Sequence, residues 1–138
     1  NNRGLRDAPI MAERLKAAGI RPSLILSSTA VRAWETAKLI AAEIAYPTEF
    51  LQREGALYHA GVSRIIDVIA AQNNGFNSLL VVGHNPGLTQ FANQLVPRLT
   101  DNIPTSGVVA FKLGIDNWDV RTASTVDLIE YDFPKRKR

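Results

Sequence analysis

The sequence predicts a single α/β domain over residues 1–138, a three-layer sandwich with a mainly parallel central sheet and an antiparallel edge. Segments with helical periodicity alternate with short apolar segments typical of strands. The last three predicted strands have only turns between them, which favours antiparallel pairing. No repeat, low-complexity stretch or linker divides the 138 residues, so one core is expected.

The first two thirds of the chain alternate between the two kinds of element. Apolar residues recur every three or four positions in four predicted helices, near residues 8–18, 30–45, 62–70 and 88–96. Strands are predicted at Ser23–Leu26 and at Leu79–Val82, the latter as a strand buried on both faces because all four residues are apolar. Residues 48–61 are expected to be mostly irregular, with a short strand near Glu49–Leu51.

The last third of the chain is predicted to be all strand. Val108–Leu113, Trp118–Ala123 and Val126–Tyr131 have strand composition, and a turn is expected at 114–117. A chain of this class usually opens with a strand, whereas this one opens with a helix and begins with Asn rather than Met. We therefore expect the first strand of the sheet to be missing and the sheet to have a gap or an unusual edge.

Composition and charge exclude several classes of protein. The absence of cysteine excludes a disulfide scaffold and a thiolate nucleophile. No apolar run is long enough for a membrane helix. The net charge of +3 arises from a basic tail at residues 135–138, and without it the charge is near −1. We therefore predict a solvated tail and no nucleic-acid partner.

His84 is the strongest candidate functional residue. It directly follows Gly83 after a predicted strand, where ligands bind in open α/β sheets. Asn85 suits the N-cap of the next helix and Pro86 its first position. The free N–H groups of that helix start favour an anion and help to keep the imidazole of His84 neutral.

Arg32 is the second candidate, in the first turn of the predicted helix after Ser27-Ser28-Thr29. A cation at a helix N-terminus opposes the helix dipole, which makes sense if an anion binds between them. A surface arginine is the alternative.

Three further residues carry weaker signals. Glu54 and His59 lie in the long segment 48–61, and for both a surface role is the leading interpretation. Ser106 belongs to a group of small hydroxyl residues before a strand. With two histidines and no cysteine, no metal-ligand cluster appears, and we predict no metal and no cofactor.

Taken in order, these segments resemble the histidine phosphatase superfamily, which has the phosphoglycerate-mutase-like fold, and most of all its small bacterial phosphohistidine phosphatase branch. The resemblance covers nearly the whole chain and rests on five matching segments: Arg3–Pro9, Ser27-Ser28 with Arg32-Ala33 and Thr36-Ala37, Leu57–Ala60, Gly83–Gly87 and Pro104–Gly107.

The chain departs from this family at its most specific motif. The family has an Arg-His-Gly or Arg-His-Ala triplet at the end of its first, central strand, and the histidine of that triplet accepts the phosphoryl group. Neither His59 nor His84 follows an arginine. In the family the triplet lies ahead of the segment that resembles residues 1–9, so we expect an N-terminal truncation.

The resemblance implies a phosphatase that forms a phosphohistidine intermediate and needs no metal ion. It assigns Arg32 and Asn85 to phosphate binding and His84 to catalysis, with Glu54, His59 and Ser106 as further candidates. The implied substrate is phosphohistidine on a protein or a small phosphomonoester, in a cytoplasmic signalling protein. The alternative is a non-catalytic phosphate-binding or protein-interaction domain of the same fold.

Overall fold

The computed structural model describes the backbone of residues 2–136 and the side chains of residues 7–136. The side chains of the Arg3–Arg6 segment and the end of the basic tail lie outside this part. Within it, the helices are α1 (Asn2–Ala17), α2 (Val31–Glu43), α3 (Val62–Ala70) and α4 (Gly87–Leu95). The strands are β1 (Leu24–Ser27), β2 (Gln52–Arg53), β3 (Leu79–Val82), β4 (Val108–Leu113) and β5 (Val126–Asp132).

The strands form two separate sheets. The first is parallel throughout, with β1 in the centre, β2 on one side and β3 on the other. The second is the antiparallel pair β4–β5, with a register irregularity between Ala110 and Phe111. The predicted mixture of parallel and antiparallel strands is therefore confirmed.

The parallel sheet is sandwiched between two pairs of helices. Side chains alternate along β1, so Ile25 points to one face while Leu24 and Leu26 point to the other. Ile25 packs in a core cluster with residues of α1 and α2, whereas Leu24 and Leu26 pack with residues of α3. All four residues of β1 are buried. The predicted three-layer arrangement is confirmed around this strand.

A cleft of about 1590 Å³ lies beside β3, with the residues of β3 and β4 among its lining. In the described part of the chain, no strand pairs with the far edge of β3 or with the second edge of β4. β1 and β3 pair directly, so no strand is missing between them, and the break in the sheet lies on the other side of β3.

Burial in β3 differs from the prediction. Leu79–Val82 was expected to be buried on both faces, but all four residues are only half-buried. The physical reason is the cleft, because a strand next to open space leaves one side of its backbone and side chains uncovered. The fully buried strand is β1.

Three element assignments were wrong. Trp118–Ala123 contains no strand but a 3₁₀-helix at Val120–Thr122, because the Asp119 carboxylate accepts a hydrogen bond from the Arg121 N–H at 3.1 Å and favours a turn. The strand expected near Glu49–Leu51 is displaced to Gln52–Arg53, after a 3₁₀-helix at Thr48–Phe50. The first helix begins at Asn2 rather than at residue 8.

Candidate functional site

The candidate site forms where the parallel strands end. Ser27 is in register with Arg53 of β2 and with Val82 of β3, so the three chains leave the sheet side by side. Two backbone hydrogen bonds extend this alignment beyond the strands: Ser28 N–H donates to Val82 O at 2.9 Å, and Glu54 N–H donates to Ser27 O at 2.8 Å. The segments after all three strands therefore meet at one edge.

His84 lies at this edge, two residues beyond the end of β3, and lines the cleft. Its Nε2 atom is 2.7 Å from Oγ of Ser28, a fully buried residue that directly follows β1. Burial lowers the pKa of His84 from its ordinary value, and the charge of His59 lowers it further. Both effects favour the neutral imidazole, whereas the sequence-based expectation of a neutral His84 rested on the start of α4.

Arg32 is the second residue of α2 and lines the same cleft as His84. Its side chain is exposed, and no hydrogen bond or ion pair within residues 7–136 engages the guanidinium. The structure thus brings the exposed Arg32 guanidinium and the His84 imidazole to the same cleft. A guanidinium can bind a tetrahedral oxyanion with two parallel hydrogen bonds.

Asn85 fixes local structure with both ends of its side chain. Its Oδ1 accepts from the backbone N–H of Thr89 at 3.2 Å and from Oγ1 of Thr89 at 2.7 Å. Its Nδ2 donates to Ile103 O at 2.8 Å. The helix α4 begins one residue later than predicted, so Pro86 rather than Asn85 is its N-cap residue. The side chain of Asn85 caps α4 from the position before the N-cap. Its role in phosphate binding stays a prediction, and its backbone remains next to His84.

Glu54 and His59 differ in how they relate to the cleft. The Glu54 carboxylate accepts a hydrogen bond from Ala56 N–H at 3.2 Å and so caps the 3₁₀-helix Gly55–Leu57. His59 is exposed and has a left-handed backbone with φ of 52°. Its ring lies 6.3 Å from that of His84 between centroids, and the ring of Tyr58 lies 5.7 Å from His84. His59 and Tyr58 therefore flank the imidazole, whereas the Glu54 carboxylate is engaged locally.

Ser106 lines the cleft and is half-buried. Its φ of 62° places a non-glycine residue in the left-handed region, within a turn closed by Gly107 N–H donating to Pro104 O at 2.8 Å. The turn directly precedes β4, so Ser106 approaches the cleft from the antiparallel sheet.

Comparisons of sequence give distant relatives of similar length. No protein-family profile matches the chain. An uncharacterized protein of Mycobacterium leprae is 26% identical over 142 residues, which span 96% of this chain and 84% of that protein. An uncharacterized protein of Mycobacterium tuberculosis is 27% identical over 143 residues, spanning 96% of this chain and 87% of the relative.

Comparisons of structure are more informative. A candidate phosphohistidine phosphatase SixA from Agrobacterium tumefaciens superposes with a TM-score of 0.77 at 26% identity, covering 97% of this chain and 82% of that one. A protein histidine phosphatase SixA in complex with tungstate gives 0.77 at 21% identity, covering 97% and 83%. A second candidate phosphohistidine phosphatase SixA, from Nakamurella multipartitia, gives a TM-score of 0.73 at 20% identity and covers 95% of this chain and 81% of that one.

The chain has the histidine phosphatase fold. The resemblance drawn from the sequence is thereby confirmed at the level of fold.

Within this histidine phosphatase fold, sequence reasoning missed two features of the site. Ser28 entered the sequence analysis only as part of the matching segment Ser27-Ser28, yet its hydroxyl forms a hydrogen bond with His84. The guanidinium of Arg53 stacks 4.3 Å from the ring centre of Trp34 where β2 ends. The hydrogen bond between Ser28 and His84 had one signal in the sequence, the position of Ser28 directly after an apolar strand. The second is a contact between β2 and α2, which composition does not reveal.

Two further findings concern metal ligands and membrane spans. Within the described residues, no group of three or more histidine, cysteine, aspartate and glutamate side chains is placed to hold a metal ion. No helix in the same part of the chain is long and apolar enough to cross a bilayer.

Proposed function

We propose that the chain belongs to a phosphatase domain that, in a longer form that contains the nucleophilic histidine, hydrolyses phosphohistidine on a protein, or a small phosphomonoester, through a phosphohistidine intermediate and without a metal ion. The observation that carries the proposal is that Arg32 and His84 each follow the carboxyl end of a parallel strand and both line the cleft beside β3. The fold is shared with SixA proteins, one of which binds tungstate, a tetrahedral oxyanion like phosphate.

Arg32 and His84 supply complementary contacts to a phosphoryl group. The guanidinium of Arg32 neutralises the negative oxygens through charge-assisted hydrogen bonds. A neutral His84 donates one N–H without placing a second full charge in the cleft. The dipole of α4 adds partial positive charge at its start, although the N–H groups of Leu88 and Thr89 already donate to His84 O and Asn85 Oδ1. This set favours the transferring phosphoryl group, on which negative charge is concentrated.

The nucleophile is a third histidine, in addition to His59 and His84. It belongs to an Arg-His pair, and the sequence of 138 residues contains no such pair. We place it on an extended segment in the cleft between β3 and β4. α1 ends seven residues before β1 begins, and a helix that leads into a parallel strand ordinarily starts near the carboxyl edge of the sheet. A strand parallel to β3 that leads into α1 would form a right-handed β-α-β crossover.

The reaction then has two steps. The imidazole nitrogen attacks phosphorus in line, the bond from phosphorus to the leaving group breaks, and the leaving group takes up a proton. Water next attacks phosphorus, the bond between phosphorus and the enzyme imidazole breaks, and inorganic phosphate leaves while the water proton passes to solvent. A protonated imidazole is a good leaving group, so a phosphohistidine substrate needs no strong acid in the site.

His59 and Glu54 are proposed as secondary groups. His59 flanks His84 and is exposed, so it can exchange a proton with solvent near the leaving group. The Glu54 carboxylate would have to leave its hydrogen bond to Ala56 N–H before it could act as a proton donor. Ser106 approaches the same cleft from the antiparallel sheet and is proposed to contact the phosphoryl oxygens.

Phosphate release in the presence of a chelator tests the proposal. A longer form of the protein with an Arg-His-Gly or Arg-His-Ala triplet ahead of Asn1 should hydrolyse phosphohistidine or an aryl phosphate. The 138-residue chain should release almost none, because positioning alone cannot form the covalent intermediate. His84→Ala in the longer form should abolish turnover and leave the circular dichroism spectrum unchanged. Turnover that needs added metal, or that survives His84→Ala, contradicts the mechanism.

The second candidate function is a non-catalytic phosphate-binding or protein-interaction domain of the same fold. The absence of an Arg-His pair from the sequence favours it. It predicts oxyanion binding through Arg32 and His84 with no turnover in any form of the protein. The same phosphate-release assay separates it from the phosphatase.

A further inference from the structure

The hydroxyl group of Ser28 connects the first strand of the sheet to the imidazole of His84. Ser28 has no exposed surface, and its Oγ is 2.7 Å from Nε2 of His84. The same Oγ accepts a hydrogen bond from the backbone N–H of Ala30 at 3.2 Å. This arrangement follows from the parallel register, which places the ends of β1 and β3 side by side.

The donors and acceptors around this hydroxyl can be counted. A serine hydroxyl donates one hydrogen bond and accepts up to two. The N–H of Ala30 already uses one acceptor position. Within residues 7–136, Nε2 of His84 is the remaining hydrogen-bond partner of this oxygen. If Nε2 carried a proton, the buried hydroxyl would have no acceptor for its own, at a cost of about 1–3 kcal/mol.

We propose that Ser28 is a positioning residue whose hydroxyl donates a hydrogen bond to Nε2 of His84. This hydrogen bond holds His84 as the neutral tautomer with its proton on Nδ1. The Nδ1–H is then the ring N–H that His84 offers to an oxyanion in the cleft. This inference rests on the proposed function only for its consequence in phosphate binding, because the tautomer itself follows from the hydrogen bonds.

The electrostatic surroundings agree with a neutral His84. The titratable group that acts electrostatically on His84 is His59, from the segment after β2, and Arg32 of α2 lines the same cleft. Tyr58 adds a titratable hydroxyl on a ring 5.7 Å away. Positive neighbours disfavour a second positive charge, and burial lowers the pKa of His84 in the same direction. A hydrogen bond to the unprotonated Nε2 also favours the neutral form.

Long-range ¹H–¹⁵N correlation spectra of the imidazole rings in ¹⁵N-labelled protein report the tautomer directly. The chain has only two histidines, so the variant His59→Asn assigns both sets of signals. Asparagine tolerates the left-handed backbone at position 59. At a pH above the pKa of His84, we expect its proton on Nδ1. A proton on Nε2 overturns the inference, and this measurement needs no variant of Ser28.

The variant Ser28→Ala tests the role of the hydroxyl, with Ser27→Ala as its matched control. Ser27 is equally buried, but its hydroxyl donates to the carbonyl oxygen of Ser28 at 2.9 Å and not to His84. Ser28→Ala should move the His84 proton at least partly to Nε2 and raise the pKa of His84. Ser27→Ala should change neither. Equal shifts in both variants, or no shift in Ser28→Ala, contradict the assignment.

The outcomes remain separate from those of the proposed function. If His84 has its proton on Nδ1 but the protein binds no tungstate, the positioning role of Ser28 holds and the phosphate-binding proposal fails. If the protein binds tungstate while His84 has its proton on Nε2, the positioning role fails and the phosphate-binding proposal holds.

Discussion

Replacing Gly87 by alanine tests how closely the helix after His84 packs against the segment that carries His59. Gly87 is the buried first residue of α4. A Cβ atom at this position would overlap the backbone carbonyl oxygen of Ala60 and lie 3.1 Å from Cδ1 of Ile65. The obstacle is backbone rather than the end of a flexible side chain, so α4 or the segment near Ala60 must move.

The expected magnitude follows from two opposing effects. Overpacking that shifts the backbone costs about 1–3 kcal/mol. The smaller conformational entropy of the unfolded chain with alanine returns about 0.4–1 kcal/mol. We therefore expect Gly87→Ala to lower the free energy of unfolding by about 1–2 kcal/mol.

Urea unfolding followed by circular dichroism measures this change, and Gly83→Ala is the matched control. A Cβ atom at Gly83 would meet only the side chain of Leu88, at 3.7 Å, which is ordinary contact. Gly83→Ala should therefore leave the free energy of unfolding unchanged or slightly higher. A Gly87→Ala protein as stable as the Gly83→Ala protein would refute the close packing between α4 and Ala60.

Three further predictions concern stability and protonation. Arg14→Ala should lower the free energy of unfolding by about 1.5–3 kcal/mol in urea titrations, because the Arg14 guanidinium donates to a carboxylate and two carbonyl groups at the end of β5. The control Lys16→Ala, on the same helix, should change the free energy of unfolding by less than about 0.5 kcal/mol. Asn85→Ala should cost about 1–3 kcal/mol in the same assay, because it leaves polar groups at the start of α4 and in the segment before β4 without their partner. His84 should titrate below its ordinary pKa of 6.5 in NMR, and His59→Asn should raise that pKa while burial keeps it below 6.5.

The lowered pKa of His84 also determines how the free energy of unfolding depends on pH. The unfolded chain binds a proton at His84 more readily than the folded chain does, so the contribution of His84 to stability is complete at high pH. It is lost as the pH falls through the ordinary value of about 6.5 toward the folded value. Urea unfolding of the wild type and of His84→Gln between pH 8 and pH 5 should show a smaller loss in the variant. An equal loss in both proteins contradicts a lowered pKa at His84.

The alternation of helices and strands was predictable because burial imposes it on the sequence. α3 has apolar residues at Ile65, Ile66, Val68 and Ile69, all buried, so its periodicity reports its position directly. β1 is apolar and fully buried for the same reason. The same pattern predicts that Arg32 and His84 share a site, because residues after parallel strands reach one edge of a sheet, and that assignment stays a prediction.

Other features depend on interactions that composition does not report. The sequence Trp118–Ala123 has strand-like residues, but one hydrogen bond to the Asp119 side chain turns the chain into a 3₁₀-helix. The approach of His59 to His84 depends on a left-handed residue in an irregular segment. The half-burial of β3 depends on what lies beside it in space. Local sequence preferences carry little information on any of these.

The central claim is that Arg32 and His84 form an oxyanion site at the carboxyl edge of the sheet. Isothermal titration calorimetry with tungstate, at low ionic strength, tests it most directly. Arg32→Ala should weaken binding roughly ten- to hundredfold, which corresponds to a charged hydrogen bond of about 1.5–3 kcal/mol. The charge-matched control is Arg21→Ala, which removes an exposed arginine that precedes β1 at the opposite edge, and it should leave the affinity nearly unchanged. Equal losses in the two variants, or no loss in Arg32→Ala, would contradict the site.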